Sequence, residues 1–369
     1  MKKLFSLIFI VILLIPVAAA MIGLDFGIQV DRRGLERPMF SGSALFDNEY
    51  YLAFDQYIND SFSLRSPLII AKNWLDYNIF RMTDTTGVHV GTEGWLYRRE
   101  SIEDSRKEAC NDKRQVEWLT LELHALEKII EASGRRFLFM VAPNKTTIYP
   151  EYVGFMPNST SCNYSRYELF LETIAAHKLM SFVRLDELLM HAKNRYALLY
   201  DRASTFWNGL GALVAAENLH QQIDNNGTDL RPLFSLSFET DHFGDLNLQL
   251  MGFRLPDDDK LFRHFKNPYQ PELPAAIVYG DGFISNLIPY MIQMSGHLDV
   301  VQSDRVPSKQ HGEDLRSYDY ILLEKAESEL KALRINLDEI YSLFEPEATT
   351  LERFPVDVGA VVPVSNISL

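Results

Sequence analysis

The chain has 369 residues, 47% of them hydrophobic, which is enough to bury one large α/β core and too apolar for a disordered protein. Its 36 Lys and Arg stand against 50 Asp and Glu, giving a formal net charge of -14 and a pI near 5.1. That balance excludes nucleic acid as a partner, because gripping a phosphate backbone requires a surplus of basic side chains.

Lys2-Lys3 followed by an apolar run from Leu4 to Leu24 reads as an export signal: the short positive region stays inside while the apolar segment enters the membrane. About 20 apolar residues span a bilayer, so residues 4–24 are long enough to remain as an inner-membrane anchor. Ala18-Ala19-Ala20 offers the alternative of a cleaved signal peptide. Either way the rest of the chain is expected outside the cytoplasm. Cys110 and Cys162, an even pair in an oxidising compartment, are expected to form a disulfide. Alone they cannot make a metal site, and neither a metal nor a cofactor is expected.

Residues 25–45 read as a juxtamembrane linker, residues 46–345 as an α/β domain, and residues 346–369 as a tail. From Tyr50 to Phe80 the pattern is helical, with a polar break at Asn59-Asp60 and a restart at Pro67. Val88 to Tyr97 predicts a short hairpin around two glycines. Arg114 to Ser133 carries Val116, Leu119, Leu123, Leu126 and Ile130 on one helical stripe, and Gly134 stops it. Phe137 to Val141 is a continuous apolar run suited to a strand buried on both faces. The alternation continues with a helix over 164–179, a strand at 181–185, a helix over 186–195 capped by Asp186, a short strand at 197–200, and a helix to Ile223 capped by Asn208. Residues 230–271 read as an irregular insertion. Strands follow at 275–280, 297–302 and 318–324, the last leading into a helix from Lys325. Alternating strands and helices imply a mostly parallel sheet covered on both faces, a three-layer arrangement.

The strand Ala275 to Gly280 delivers the loop Asp281-Gly282-Phe283 to a helix N-terminus. In open α/β sheets ligands bind at such a place, outside the carboxyl ends of the strands. The loops at Asn144, at Asp201 to Trp207 and at Asp281 to Phe283 are therefore expected on one sheet edge.

Several short stretches carry a resemblance. They are Asn59-Asp60-Ser61-Phe62-Ser63-Leu64-Arg65, Gly91-Thr92-Glu93-Gly94-Trp95-Leu96-Tyr97, Ala142-Pro143-Asn144-Lys145, Ser204-Thr205-Phe206-Trp207, Gly244-Asp245-Leu246, Gly280-Asp281-Gly282-Phe283 and Leu323-Glu324. In this order they resemble the AlgX/AlgJ type of SGNH-hydrolase-like proteins, which take part in O-acetylation of alginate and other exported bacterial polysaccharides. The resemblance implies a periplasmic SGNH-like α/β domain, an acidic polysaccharide ligand, and a membrane acyl-transfer protein or export complex as partner. It also implies a catalytic Asp and His from an Asp-x-His-Trp motif and a serine from a Gly-Asp-Ser elbow, with serine attacking an acyl carbonyl, histidine taking its proton and aspartate orienting the ring.

Here those positions carry Ser204, Phe206 and Gly282, so the resemblance points to a degenerate triad and a binding or accessory role. Two other readings stay open: an active acetyltransferase or acetylesterase using replacement residues, with Ser285 and His242 as candidates, and a structural subunit of an export complex. Asn144, Lys145, Trp207, Asp281 and Ser285 are the candidate ligand-binding residues, set against turn formation for the first two and core packing for Trp207.

Overall fold

A computed structural model describes residues 48–306 and 315–344, apart from 62–64, 81, 83–86, 109–112, 156–160, 197, 224–233, 240–244, 247–259, 266–273 and 293, together with a few isolated residues before 48. Most of the linker and of residues 4–24, together with Cys110, His242 and the tail, lie outside the described residues. Cys162 is disulfide-bonded. Among the described residues no helix is long and apolar enough to cross a membrane.

The chain gathers into two compact units, one from 1–99, 202–204 and 243–258, the other from 100–201, 205–242 and 259–369. In the first, helices α1 (Asn48–Ser61) and α2 (Arg65–Leu75) run into a π-helical turn at Asp76–Phe80. Strands β1 (Val88–Val90) and β2 (Leu96–Arg98) pair antiparallel as the expected hairpin. Tyr77, Val88, Leu96, Ala203 and Leu246 form its small core. Backbone bonds from Leu96 N to the Arg202 carbonyl (2.9 Å) and from Leu246 N to the Ala203 carbonyl (3.2 Å) tie the distant segments to the hairpin. Trp95 is buried and stacks on Tyr97.

In the second unit, α3 (Arg99–Ser105) leads to α4 (Lys113–Ala132), β3 (Arg136–Ala142), the single turn α5 (Lys145–Ile148), α6 (Arg166–His177), β4 (Phe182–Val183), α7 (Asp186–Lys193) and α8 (Gly209–Ile223). Then come β5 (Phe234–Glu239), β6 (Lys260–Phe265), β7 (Ala275–Gly280), α9 (Ile284–Met291), β8 (His297–Gln302), β9 (Arg305–Val306), β10 (Tyr320–Ala326), β11 (Arg334–Ile335) and α10 (Leu337–Phe344). A five-stranded sheet of order β4-β3-β10-β7-β8 has every pairing parallel.

Alternation along the strands divides the core. Phe137, Phe139 and Val141 of β3, Ile277 and Tyr279 of β7, and Ile321 and Leu323 of β10 face the apolar stripes of α4, α6 and α10. Each fully buried Leu, Ile or Phe contributes about 1.5–3 kcal/mol, so this layer is the main source of stability. On the other face, Arg136 of β3 and Tyr320 of β10 donate to the carbonyls of Gln222 and Ile223 at the end of α8. The sheet thus lies between two helical layers, the expected three-layer α/β architecture.

Several boundaries differ from the sequence expectation. Lys325 does not start a helix: pairing with β3 runs through Ala326, because the parallel ladder continues as far as β3 does. Asp186 lies inside the first turn of α7 rather than at its cap, which is Leu185. The strand expected at 197–200 is reduced to a single bridge between Tyr200 and Trp207. Residues 230–271, read as irregular, hold the antiparallel pair β5 and β6 in their described part.

Candidate functional site

Strands β3, β10 and β7 are neighbours in the sheet and end on one edge. Their C-terminal residues supply Asn144, Glu324 to Glu327, and Asp281 to Phe283. Two carboxyl groups hold the elbow after β7. Glu324 accepts from the Asp281 backbone N–H at 3.0 Å, and Asp281 accepts from Phe283 N at 3.0 Å and Ala326 N at 2.7 Å. The elbow is thus laced to the end of β10 from both sides. Burial pushes both carboxyls above the usual carboxylate range, and the Asp281 charge pushes Glu324 further. Gly280 permits the arrangement, since a Cβ there would meet Glu324 Oε2 at 2.9 Å and Ile284 Cβ at 3.0 Å.

The position expected to bear the nucleophile is filled in another way. A Cβ built on Gly282 would lie 2.3 Å from Cζ and 2.4 Å from Cε1 of Phe206. The Phe206 ring therefore occupies the space a side chain at 282 would need. Phe206 also packs edge-on against Phe283, with ring centroids 5.1 Å apart, and Trp207 does the same at 5.1 Å. Trp207 is fully buried, and its Nε1–H donates to the Phe283 carbonyl at 2.9 Å, so its indole serves the core. The loop carrying Phe206 is fixed further by Asn208, whose Oδ1 accepts from Leu210 N and Gly211 N as the cap of α8.

Ser204, the third member of the expected trio, belongs to the other compact unit, where its Oγ donates to Asp245 Oδ1 at 2.8 Å. A carboxylate thus stands beside position 204.

The other candidates divide by exposure. Ser285 is exposed on the first turn of α9. Lys145 is buried and its ammonium donates to the Asp201 carbonyl at 3.2 Å. Asn144 is buried; its backbone N–H donates to Glu327 Oε2 at 2.8 Å, and Thr147 Oγ1 donates to the same oxygen at 2.7 Å. Burial holds Glu327 up at about 7. Glu324 and Glu327 were absent from the candidate residues, although a Glu-Lys pair interrupting the apolar run of β10 marks the place in the sequence. Among the described residues no cluster of His, Cys, Asp and Glu suits a metal ion.

Two outcomes follow from this geometry. Overpacking a filled site costs about 1–3 kcal/mol, so Gly282→Ser alone destabilises the protein by that order. In a Phe206→Ala background the same change costs less than about 0.5 kcal/mol, because the ring is gone. Urea unfolding of the four proteins checks this, and equal costs in both backgrounds would contradict the contact. The second outcome concerns pH. Glu327 has a folded-state value of about 7 against an ordinary 4.5, so the folded protein holds the proton more tightly than the unfolded chain. Its contribution is complete below the ordinary value and is lost as pH rises through about 7, a change of about 3 kcal/mol. In Glu327→Gln the amide oxygen still accepts from Asn144 and Thr147. That variant is expected to lose less stability than the parent between about pH 5 and about pH 8, measured by denaturant unfolding at each pH.

Comparison with known proteins agrees with the fold. A family model described as an SGNH hydrolase-like domain, acetyltransferase AlgX, matches residues 88–249; it includes Asn144, Ser204 and Phe206 and stops short of the elbow. The probable alginate O-acetylase AlgJ of Pseudomonas aeruginosa is 26% identical over 191 residues, covering 50% of this chain and 46% of that one. Its counterpart in Pseudomonas syringae pv. tomato is 26% identical over 145 residues, 39% of this chain and 35% of that one. The chain thus spans less than half the length of these curated relatives. In structure it is similar to the O-acetyltransferase domain of Pseudomonas putida AlgJ, at 17% identity and a TM-score of 0.50, with 70% of this chain and 99% of that one covered. It is also similar to Bacillus cereus PatB1, at 14% identity and a TM-score of 0.50, covering 66% of this chain and 96% of that one. With the parallel sheet, the elbow on its edge and the matched segment in hand, the chain is similar over residues 88–249 to the AlgX/AlgJ type of SGNH-hydrolase-like proteins.

Proposed function

We propose that this chain is an extracytoplasmic member of the polysaccharide O-acetylation family that has given up acyl transfer by a Ser-His-Asp route. In this reading it binds an acidic polysaccharide of the alginate type at the elbow edge, in company with a membrane acyl-transfer protein or export complex. The observation that carries the reading is the Phe206 ring resting in the side-chain space of Gly282. A hydroxyl nucleophile and an imidazole base must touch for acyl transfer. Here the two positions do come together, and what meets is a hydrogen atom and a hydrocarbon ring.

Without the triad, what can survive is binding and backbone polarisation of an acyl carbonyl, worth roughly 10³–10⁴-fold over water in the protease template. The half-buried Phe206 ring and the exposed Ser285 hydroxyl offer a sugar one apolar face and one hydrogen-bonding group. The disulfide at Cys162 supports placement in an oxidising compartment such as the periplasm.

The test pairs chemistry with binding. The purified protein is expected to leave p-nitrophenyl acetate at the background rate, to resist a fluorophosphonate probe, and to release heat on titration with acidic oligouronates. Acetyl release that disappears in Ser285→Ala would replace this reading with catalysis by substitute residues. Neither turnover nor binding would leave a structural subunit as the better account.

A further inference from the structure

Helix α2 and the π turn after it turn one face inward and leave an apolar face outward. Asn73 and Tyr77 are turned inward and buried. On the outward side, Leu68, Leu75 and Ile79 follow one another at spacings of seven and four, the repeat of a single helical stripe. They are 55%, 43% and 61% exposed, and beside them Trp74 is 49%, Phe80 63% and Met82 55% exposed. Lys72, which lies on this stripe, is paired with Asp76 at 2.7 Å. Six large apolar side chains within fifteen residues is more than the scattered single exposures of an ordinary surface.

We propose that this patch lies in the headgroup region of the membrane that holds the N-terminal segment. The proposal takes residues 4–24 as the retained anchor and is independent of the chemistry at the elbow. Between Leu24 and the start of α1 at Asn48 there are only residues 25–47, which can reach no further than about 80 Å even at full extension. Anchoring therefore keeps the patch within reach of the lipid surface at high effective concentration, which a freely diffusing protein partner would not match. The composition suits the interface as well: Trp74 is an aromatic belt residue, Leu68, Leu75 and Ile79 are aliphatic, and Lys72 is paired with Asp76. Resting there, the patch limits how the first compact unit faces the bilayer.

The test uses the full chain reconstituted in a bilayer of phosphatidylethanolamine and phosphatidylglycerol, with a fraction of the lipid brominated on its acyl chains. Bromine quenches indole emission at short range. The parent is expected to show quenching that is lost in Trp74→Phe. A Leu68→Ser/Ile79→Ser variant that keeps Trp74 is expected to show weaker quenching and a red-shifted emission, with far-UV circular dichroism confirming that it is folded. Quenching unchanged by Trp74→Phe, or absent in the parent whether or not the chain stays with the bilayer, would overturn the proposal. Detergent-solubilised dimers that dissociate in the Leu68→Ser/Ile79→Ser variant, without Trp74 quenching, would assign the patch to a second copy of the chain instead.

Discussion

The contact between the Phe206 ring and Gly282 governs what the edge of this sheet can do. A ring carbon 2.3 Å from where a Cβ would sit leaves no room for a serine unless the ring moves, and the ring also packs edge-on against Phe283. The two substitutions fit each other. A glycine tolerates the ring, and the ring fills the volume that a side chain at 282 would need. Changing either residue alone strains or empties the site, whereas together they form a packed apolar corner.

Around that corner the scaffold is kept in detail. Asp281 and Glu324 exchange backbone bonds across β7 and β10, and Glu327 does the same for the loop after β3. Three buried carboxyls without a full set of cations would be costly as anions, so burial raises each of them and favours the protonated form. These groups act on the backbone that shapes the edge. Under the proposed function, this bracing keeps the edge in the shape that ligand binding needs.

Much of this was legible in the sequence because local signals and tertiary context agreed. The stripe of α4, the apolar run of β3, the cap at Asn208 and the Gly-Asp-Gly elbow are each set by neighbours a few residues away. The approach of Phe206 to Gly282 was implied only by resemblance, because 76 residues separate them in the chain and no spacing rule links them. Lys325 was misread because a Glu-Lys pair looks like a helix start. Only the length of the partner strand β3 decides that the ladder goes on. Core packing for Trp207 was already one of the two readings its sequence offered, whereas the burial of Lys145 depends on what the fold lays over it.

The most direct test of the central claim is a nuclear Overhauser measurement on protein labelled at glycine and phenylalanine. The account expects a cross-peak between the Gly282 Hα protons and the Phe206 ring that disappears in Phe206→Leu. A folded protein in which the Gly282 protons show no contact with that ring would contradict it.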